Sequence, residues 1–214
     1  MHALERDGYS LVHAVDLASL PEIARALGQP IPDPRERVLV KDIRPQPKEL
    51  ANANTLSSRY GMGAFPFHTE AAYLPIAPRF LLVYCVDPGI GERPTLLLDG
   101  RKLLRRMPSL RRPATWLVKA GRRPFLTHAL TPNPMRTLCI RYDRECLFPR
   151  GPAAQLEENI IRAFIAEESP ITIDWHEADL LIIDNTRLLH ARGSADETDR
   201  NRWLKRVLVG VKAA

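Results

Sequence analysis

The sequence predicts a mainly β domain of the α+β type, a sandwich or jelly roll, on three observations. Apolar runs of strand length recur along its 214 residues. Between them 19 prolines and 11 glycines break the chain, and only two stretches carry a helical apolar stripe. No repeat, low-complexity tract or linker divides the composition, so residues 1–214 read as one domain, with 1–60 supplying a helix and a strand that flank its core.

The first helix is expected over Asp16–Gly28. It has a polar start, an early Pro21, apolar Leu20, Ile23, Ala24 and Leu27 at helical spacing, and a glycine stop. Arg37–Arg44, Phe80–Val86, Thr95–Leu98, Thr137–Tyr142 and Leu180–Asp184 read as strands. Clusters such as Asp87-Pro-Gly89, Thr131-Pro-Asn-Pro134 and Pro149-Arg-Gly-Pro152 turn the chain between them. A second helix is expected over Ala153–Glu168, with Leu156, Ile160, Ile161, Phe164 and Ile165 as its apolar stripe.

Composition narrows the classes of function. No run approaches the roughly 18 apolar residues of a membrane helix, and the opening MHALERDGYS lacks a secretory pattern, so the expectation is a cytoplasmic protein without a membrane partner. Cys85, Cys139 and Cys146 form no CxxC pair and read as reduced thiols rather than a disulfide framework or zinc knuckle. The net charge of +6 is concentrated. Between Gly100 and Tyr142 there is no Asp or Glu but eleven basic residues, Arg105, Arg106, Arg111, Arg112, Arg122 and Arg136 among them. That segment is a solvated surface or a face for an anionic partner such as an acidic carrier protein; no nucleic-acid-binding motif accompanies it.

The chemistry centres on Phe65-Pro-Phe-His68-Thr-Glu70. On an extended segment alternate residues share a face, so His68 and Glu70 can point at a common centre. Far along the chain, the apolar stretch Ala178-Asp-Leu-Leu-Ile-Ile-Asp-Asn-Thr-Arg-Leu-Leu-His190 delivers a second imidazole. Two histidines and one carboxylate form the facial set that leaves coordination positions open on ferrous iron; the same set with one open position also suits a hydrolytic zinc.

These residues resemble the TauD/clavaminate synthase-like iron(II)- and 2-oxoglutarate-dependent oxygenases. The resemblance runs through His68-Thr-Glu70, Gly91-Glu-Arg-Pro-Thr95-Leu-Leu-Leu-Asp99, the segment ending His190-Ala-Arg-Gly193, and Asp199-Arg-Asn-Arg202-Trp-Leu-Lys-Arg206. It implies a double-stranded β-helix (jelly roll) with a few flanking helices, iron(II) held by His68, Glu70 and His190, and 2-oxoglutarate and dioxygen as co-substrates. It further implies that Arg206 and Thr95 hold the distal carboxylate of 2-oxoglutarate, with Arg202 near the carboxylate that chelates iron.

Glu at position 70 together with Arg-Trp-Leu-Lys-Arg looks most like the branch that hydroxylates free amino acids. The implied activity is oxidation of an unactivated C–H bond in an amino acid or derivative, with release of succinate and carbon dioxide. Only 67 residues precede His68, which implies a more open site and leaves a carrier-tethered substrate as an alternative, with a zinc hydrolase behind it. Arg141 resembles a position near the pocket and is a candidate for a substrate carboxylate or for a salt bridge with Asp143. Asp184 and Asn185 are expected to set the turn before His190, and Trp175 and Trp203 to sit in the core. His2, His13, His128 and His176 match no motif.

Overall fold

The computed structural model describes residues 2–53, 55–91, 93–107, 113–120, 123–132, 138–193 and 201–211. The amino-terminal third holds helices α1 (His2–Asp7), α2 (Leu20–Leu27) and α3 (Leu56–Tyr60) and strands β1 (Tyr9–Val12), β2 (Gln29–Ile31), β3 (Lys41–Ile43) and β4 (Phe65–His68). The middle contributes β5 (Phe80–Asp87), β6 (Thr95–Asp99), β7 (Trp116–Val118), β8 (Phe125–Thr127), β9 (Leu130–Pro132), β10 (Leu138–Ile140) and β11 (Leu147–Pro149). Helix α4 (Pro152–Glu167) then leads to β12 (Ile171–Ile173), β13 (Leu180–Asp184), β14 (Leu188–Arg192) and β15 (Trp203–Gly210).

Two antiparallel sheets make the body of a jelly roll. The larger runs β1-β13-β5-β15-β2, with β3 also paired to β15; the smaller runs β12-β6-β14-β4. Strands β5 and β13 are apolar at almost every position because both of their faces are covered. Leu81, Cys85, Leu181, Ile183, Leu204 and Leu208 point toward Leu97, Ile173 and Leu188 of the smaller sheet. Their neighbours Phe80, Leu82, Tyr84, Leu180, Ile182, Val207 and Val209 pack on Leu20 and Ala24 of α2. The outer face of the smaller sheet, through Leu98 and Leu189, packs against α4 and the strands around Trp116 and Ile140. Each leucine fully withdrawn from water contributes about 1.5–3 kcal/mol, so the layers stabilise one another.

Three expectations are corrected. The strand expected over Arg37–Arg44 is only β3, because Arg37 adopts φ 61° and the chain turns on Asp33, whose carbonyl accepts from the Arg37 amide. Val38 and Leu39 are consequently exposed. On α4 the buried stripe rotates: Leu156 is 61% exposed, while Glu157 is 4% exposed and accepts from the Ala114 amide and Trp116 Nε1. The first 60 residues do more than flank the core, since β1, β2 and β3 all pair into the larger sheet. The other elements match closely, β13 to the residue, although Thr137 of the strand expected over Thr137–Tyr142 lies outside the described residues.

Candidate active site

His190 on β14 lies opposite His68 at the end of β4, with ring centroids 4.3 Å apart. Glu70 joins them by a route different from the expected shared strand face. β4 stops at His68, and Glu70 sits in a turn followed by Ala71 at φ 52°, a left-handed conformation that costs a non-glycine residue energy and is held only by its surroundings. Asn185 does the holding. Its Oδ1 accepts from the Glu70 amide at 2.6 Å, and its Nδ2 donates to the carbonyls of Glu70 and Pro78 at 3.1 and 2.9 Å. Asp184 sets the turn before His190 by accepting from the Thr186 amide and hydroxyl.

The donor atoms of His68, Glu70 and His190 all lie within 4.8 Å of one another. His68 Nδ1 lies 2.9 Å from the Pro66 carbonyl, which can only accept, so Nδ1 donates there and Nε2 is the nitrogen left for a metal. His190 Nε2 is 3.8 Å from Glu70 Oε2, and its Nδ1 is buried with no hydrogen-bond partner among the described residues. Burial pushes the His190 imidazole down to about 4, reinforced by His68 and only partly offset by Glu70, so the ring is neutral at pH 7. Burial alone would raise the Glu70 carboxyl, but Arg206 and the two histidines together hold it well below the usual carboxylate range. Two imidazoles, that of His190 neutral, one ionised carboxylate and an unpartnered ring nitrogen fit a divalent metal of the iron or zinc type.

Around this cluster is a cavity of about 970 Å³, lined also by Thr95, Arg202, Arg206, Tyr73 and Arg93. Arg206 is half-buried and bridges two carboxylates, Glu70 Oε1 at 2.7 Å and Asp33 Oδ2 at 2.5 Å. Asp33, 5% exposed, is anchored by the amides of Arg35 and Glu36. Arg202, 3% exposed, donates to the Arg93 carbonyl and lies 6.0 Å from the Trp175 ring centroid. Trp175 Nε1 donates to Thr95 Oγ1 at 3.1 Å. Thr95 is therefore linked through Trp175 to Arg202, while Arg206 stands against Glu70.

Other residues of the motifs join the two long segments. Arg187 forks onto Asp99 through Nε at 3.1 Å and Nη2 at 2.5 Å, a bidentate pair tying β14 to β6. A Cβ on Gly193 would come within 2.8 Å of Pro94, so only glycine permits the close approach of the chain leading into Thr95.

Among curated proteins the chain is similar to clavaminate synthase 2 of Streptomyces clavuligerus, 27% identical over 198 residues, covering 82% of this chain and 57% of that protein. It thus spans little more than half the length of that relative. Among solved structures it resembles an asparagine oxygenase in complex with Fe(II), 2S,3S-3-hydroxyasparagine and succinate, with TM-score 0.78 at 19% identity over 97% of this chain and 77% of that one. It also resembles the non-heme iron oxygenase OrfP in complex with Fe, succinate and (3S)-hydroxy-L-Arg, with TM-score 0.73 at 21% identity over 96% and 75% of the two chains. The chain shares the jelly-roll fold of these solved structures. No family profile matches it.

On that fold, one expected site residue falls elsewhere. Arg141 does not line the cavity; its guanidinium donates to the carbonyls of Leu74 and Pro75 at 3.0 and 3.2 Å, beside a separate recess. No salt bridge joins it to Asp143 among the described residues; its Nη1 and Nη2 tie down the loop after Glu70 instead. Trp175 is buried as expected, and Trp203 is half-buried, with Arg44 stacked 4.2 Å from its ring centroid. Asp33 is the site residue that sequence reasoning misses; a lone acid in a Pro-Asp-Pro turn carries no signal of the arginine that will cover it.

Proposed function

We propose that the protein is an iron(II)- and 2-oxoglutarate-dependent oxygenase acting on an amino acid or amino-acid derivative. The convergence of His68, Glu70 and His190 in one arginine-lined cavity carries this reading. In it the three side chains hold the iron, which when bound supplies activation of dioxygen at the expense of 2-oxoglutarate, leaving succinate and carbon dioxide.

The roles of the two arginines are exchanged relative to the resemblance. Arg202 immediately precedes β15 and Arg206 lies within it, four residues on, about 13 Å of extended backbone. Arg206 already touches Glu70, so it stands where the chelating carboxylate would arrive. Arg202, beside Trp175 and Thr95, stands where the far end of a five-carbon diacid would reach. A guanidinium and a hydroxyl there grip the distal carboxylate. Glu70 is ionised and His190 neutral, so both offer lone pairs to the metal. Hydroxylation is the expected outcome, with desaturation and ring closure diverging only after hydrogen removal.

The substrate class rests on the relatives: the asparagine oxygenase and OrfP are bound to hydroxylated amino acids and succinate. The carrier-tethered alternative needs the basic segment to be available. In its described part, Lys102 pairs with Glu168 and Arg106 with Glu167 at the end of α4; the side chain of Arg105, and Arg111, Arg112, Arg122 and Arg136, lie outside the described residues. The zinc-hydrolase alternative has no support from the similar proteins, which are iron oxygenases by name. No described helix is long and apolar enough to cross a membrane. The interleaved cores support one oxygenase domain over residues 1–214.

The test is succinate formation from 2-oxoglutarate with Fe(II), screened against free amino acids. Stimulation by one amino acid, with a product heavier by one oxygen atom, supports the reading; no succinate from well-folded, iron-loaded protein refutes it.

A further inference from the structure

Outside the cavity, three ligating side chains from two separate segments meet beside the larger sheet. His13 follows β1, while His176 and Asp179 lie in the turn between β12 and β13; their donor atoms all lie within 4.8 Å of one another. His13 Nδ1 is 2.6 Å from Asp179 Oδ1, and His176 Nδ1 is 3.4 Å from Asp179 Oδ2. The carboxylate is buried at 1% exposure, whereas the two imidazoles are 65% and 77% exposed.

The backbone around the trio is fixed. The Val15 amide donates to the Ala178 carbonyl, the Ala178 amide to the Cys85 carbonyl, and the Cys85 amide to the Asp179 carbonyl. Asp179 Oδ2 also accepts from the His176 amide at 2.9 Å. Ala178 is held at φ 63°, a left-handed conformation that presents His176 and Asp179 from one tight turn. A single histidine would be enough to pair the buried carboxylate. The second imidazole, presented to the other carboxylate oxygen from the same turn, is what a pairing role leaves unexplained.

We propose that His13, His176 and Asp179 bind one divalent transition-metal ion of the zinc type, with the remaining coordination position left to water. Two imidazoles and a carboxylate are borderline donors suited to such an ion. Ligand bonds of about 2.0–2.2 Å place tetrahedral donors about 3.3 Å apart, and the three donor atoms, all within 4.8 Å of one another, reach that spacing by movement of the two exposed rings about the fixed carboxylate. The bound ion ties the segment after β1 to the turn that opens β13. It shares no residue with the cavity and does not depend on the oxygenase reading.

The experiment is a Co2+ titration, followed by visible d–d absorption, and a Zn2+ titration by calorimetry. The untagged chain carries His68→Ala and His190→Ala, so that the cavity cannot contribute. One equivalent bound at micromolar or tighter affinity, with a rise in the thermal midpoint, is expected. Adding His13→Ala and His176→Ala, both at exposed rings, should weaken binding at least about a hundredfold, since losing ligands exceeds the effect of losing their outer partners. Should the cavity substitutions prevent folding, the unsubstituted chain is compared with His13→Ala/His176→Ala: two equivalents against one supports the site, equal stoichiometry overturns it. Binding confined to millimolar metal, or unchanged by the His13 and His176 substitutions, also overturns it.

Discussion

His190 stands directly across from His68 in the antiparallel pairing of β14 with β4, their rings 4.3 Å apart, although 121 residues of chain separate them. Strand register alone therefore brings the two imidazoles together. The carboxylate that completes the set arrives from a turn, and that turn depends on a side chain from the far segment, Asn185.

Substituting Asn185→Ala removes three hydrogen bonds from a residue that is 1% exposed. It leaves the Glu70 amide without its acceptor. We expect a loss of about 2–3 kcal/mol in stability and a fall in iron affinity of at least tenfold. Chemical denaturation and iron titration on the same variant check this; unchanged metal affinity would detach Asn185 from the site.

Arg202→Ala and Arg206→Ala should fail differently. Loss of Arg202 should raise the KM for 2-oxoglutarate about tenfold to a hundredfold, as expected for a lost charged hydrogen bond of about 1.5–3 kcal/mol, with iron affinity held. Loss of Arg206 removes the cation that holds Glu70 ionised and leaves Asp33 buried beside it. Iron binding and kcat should fall together. Identical kinetic signatures would contradict the division of roles drawn from Trp175 and Thr95.

The metal-free protein should lose stability on acidification. Burial holds His190 at about 4, below its ordinary 6.5. The unfolded chain therefore binds the extra proton first, so stability is full above about pH 6.5 and declines toward pH 4 at up to about 1.4 kcal/mol per pH unit. Denaturant midpoints across that range, native against His190→Ala, check it; the variant should show the shallower decline.

Glu157→Leu should destabilise although it adds an apolar group to an apolar neighbourhood. The buried carboxylate satisfies the Ala114 amide and Trp116 Nε1 at 3.1 and 2.9 Å. Stranding two buried donors costs about 1–3 kcal/mol each. Glu157→Gln, which keeps one acceptor, should fall between the two in thermal unfolding.

Much of this site is legible in the amino-acid sequence. His68, Glu70 and His190 are readable from residue type and order, and β5, β6 and β13 from apolar runs bounded by turn residues. The rest depends on direction in space. Arg202 and Arg206 are the same residue type, one just before β15 and one within it, and only Trp175, arriving from beyond β12, distinguishes the end that meets Thr95. Glu157 reads as a solvated helix position until Trp116 needs an acceptor. Leu156 reads as core until the helix is rotated by that demand. Arg141 is next to the site in the motif pattern, yet its donors are taken by backbone carbonyls that carry no sequence signature.

The central claim is that His68, Glu70 and His190 hold iron so that 2-oxoglutarate can chelate it. Anaerobic addition of Fe(II) and 2-oxoglutarate, followed by visible absorption, tests it most directly. The account predicts a weak charge-transfer band in the native protein that vanishes in His68→Ala. No band from the folded native chain, or a band of undiminished intensity in the variant, would contradict it.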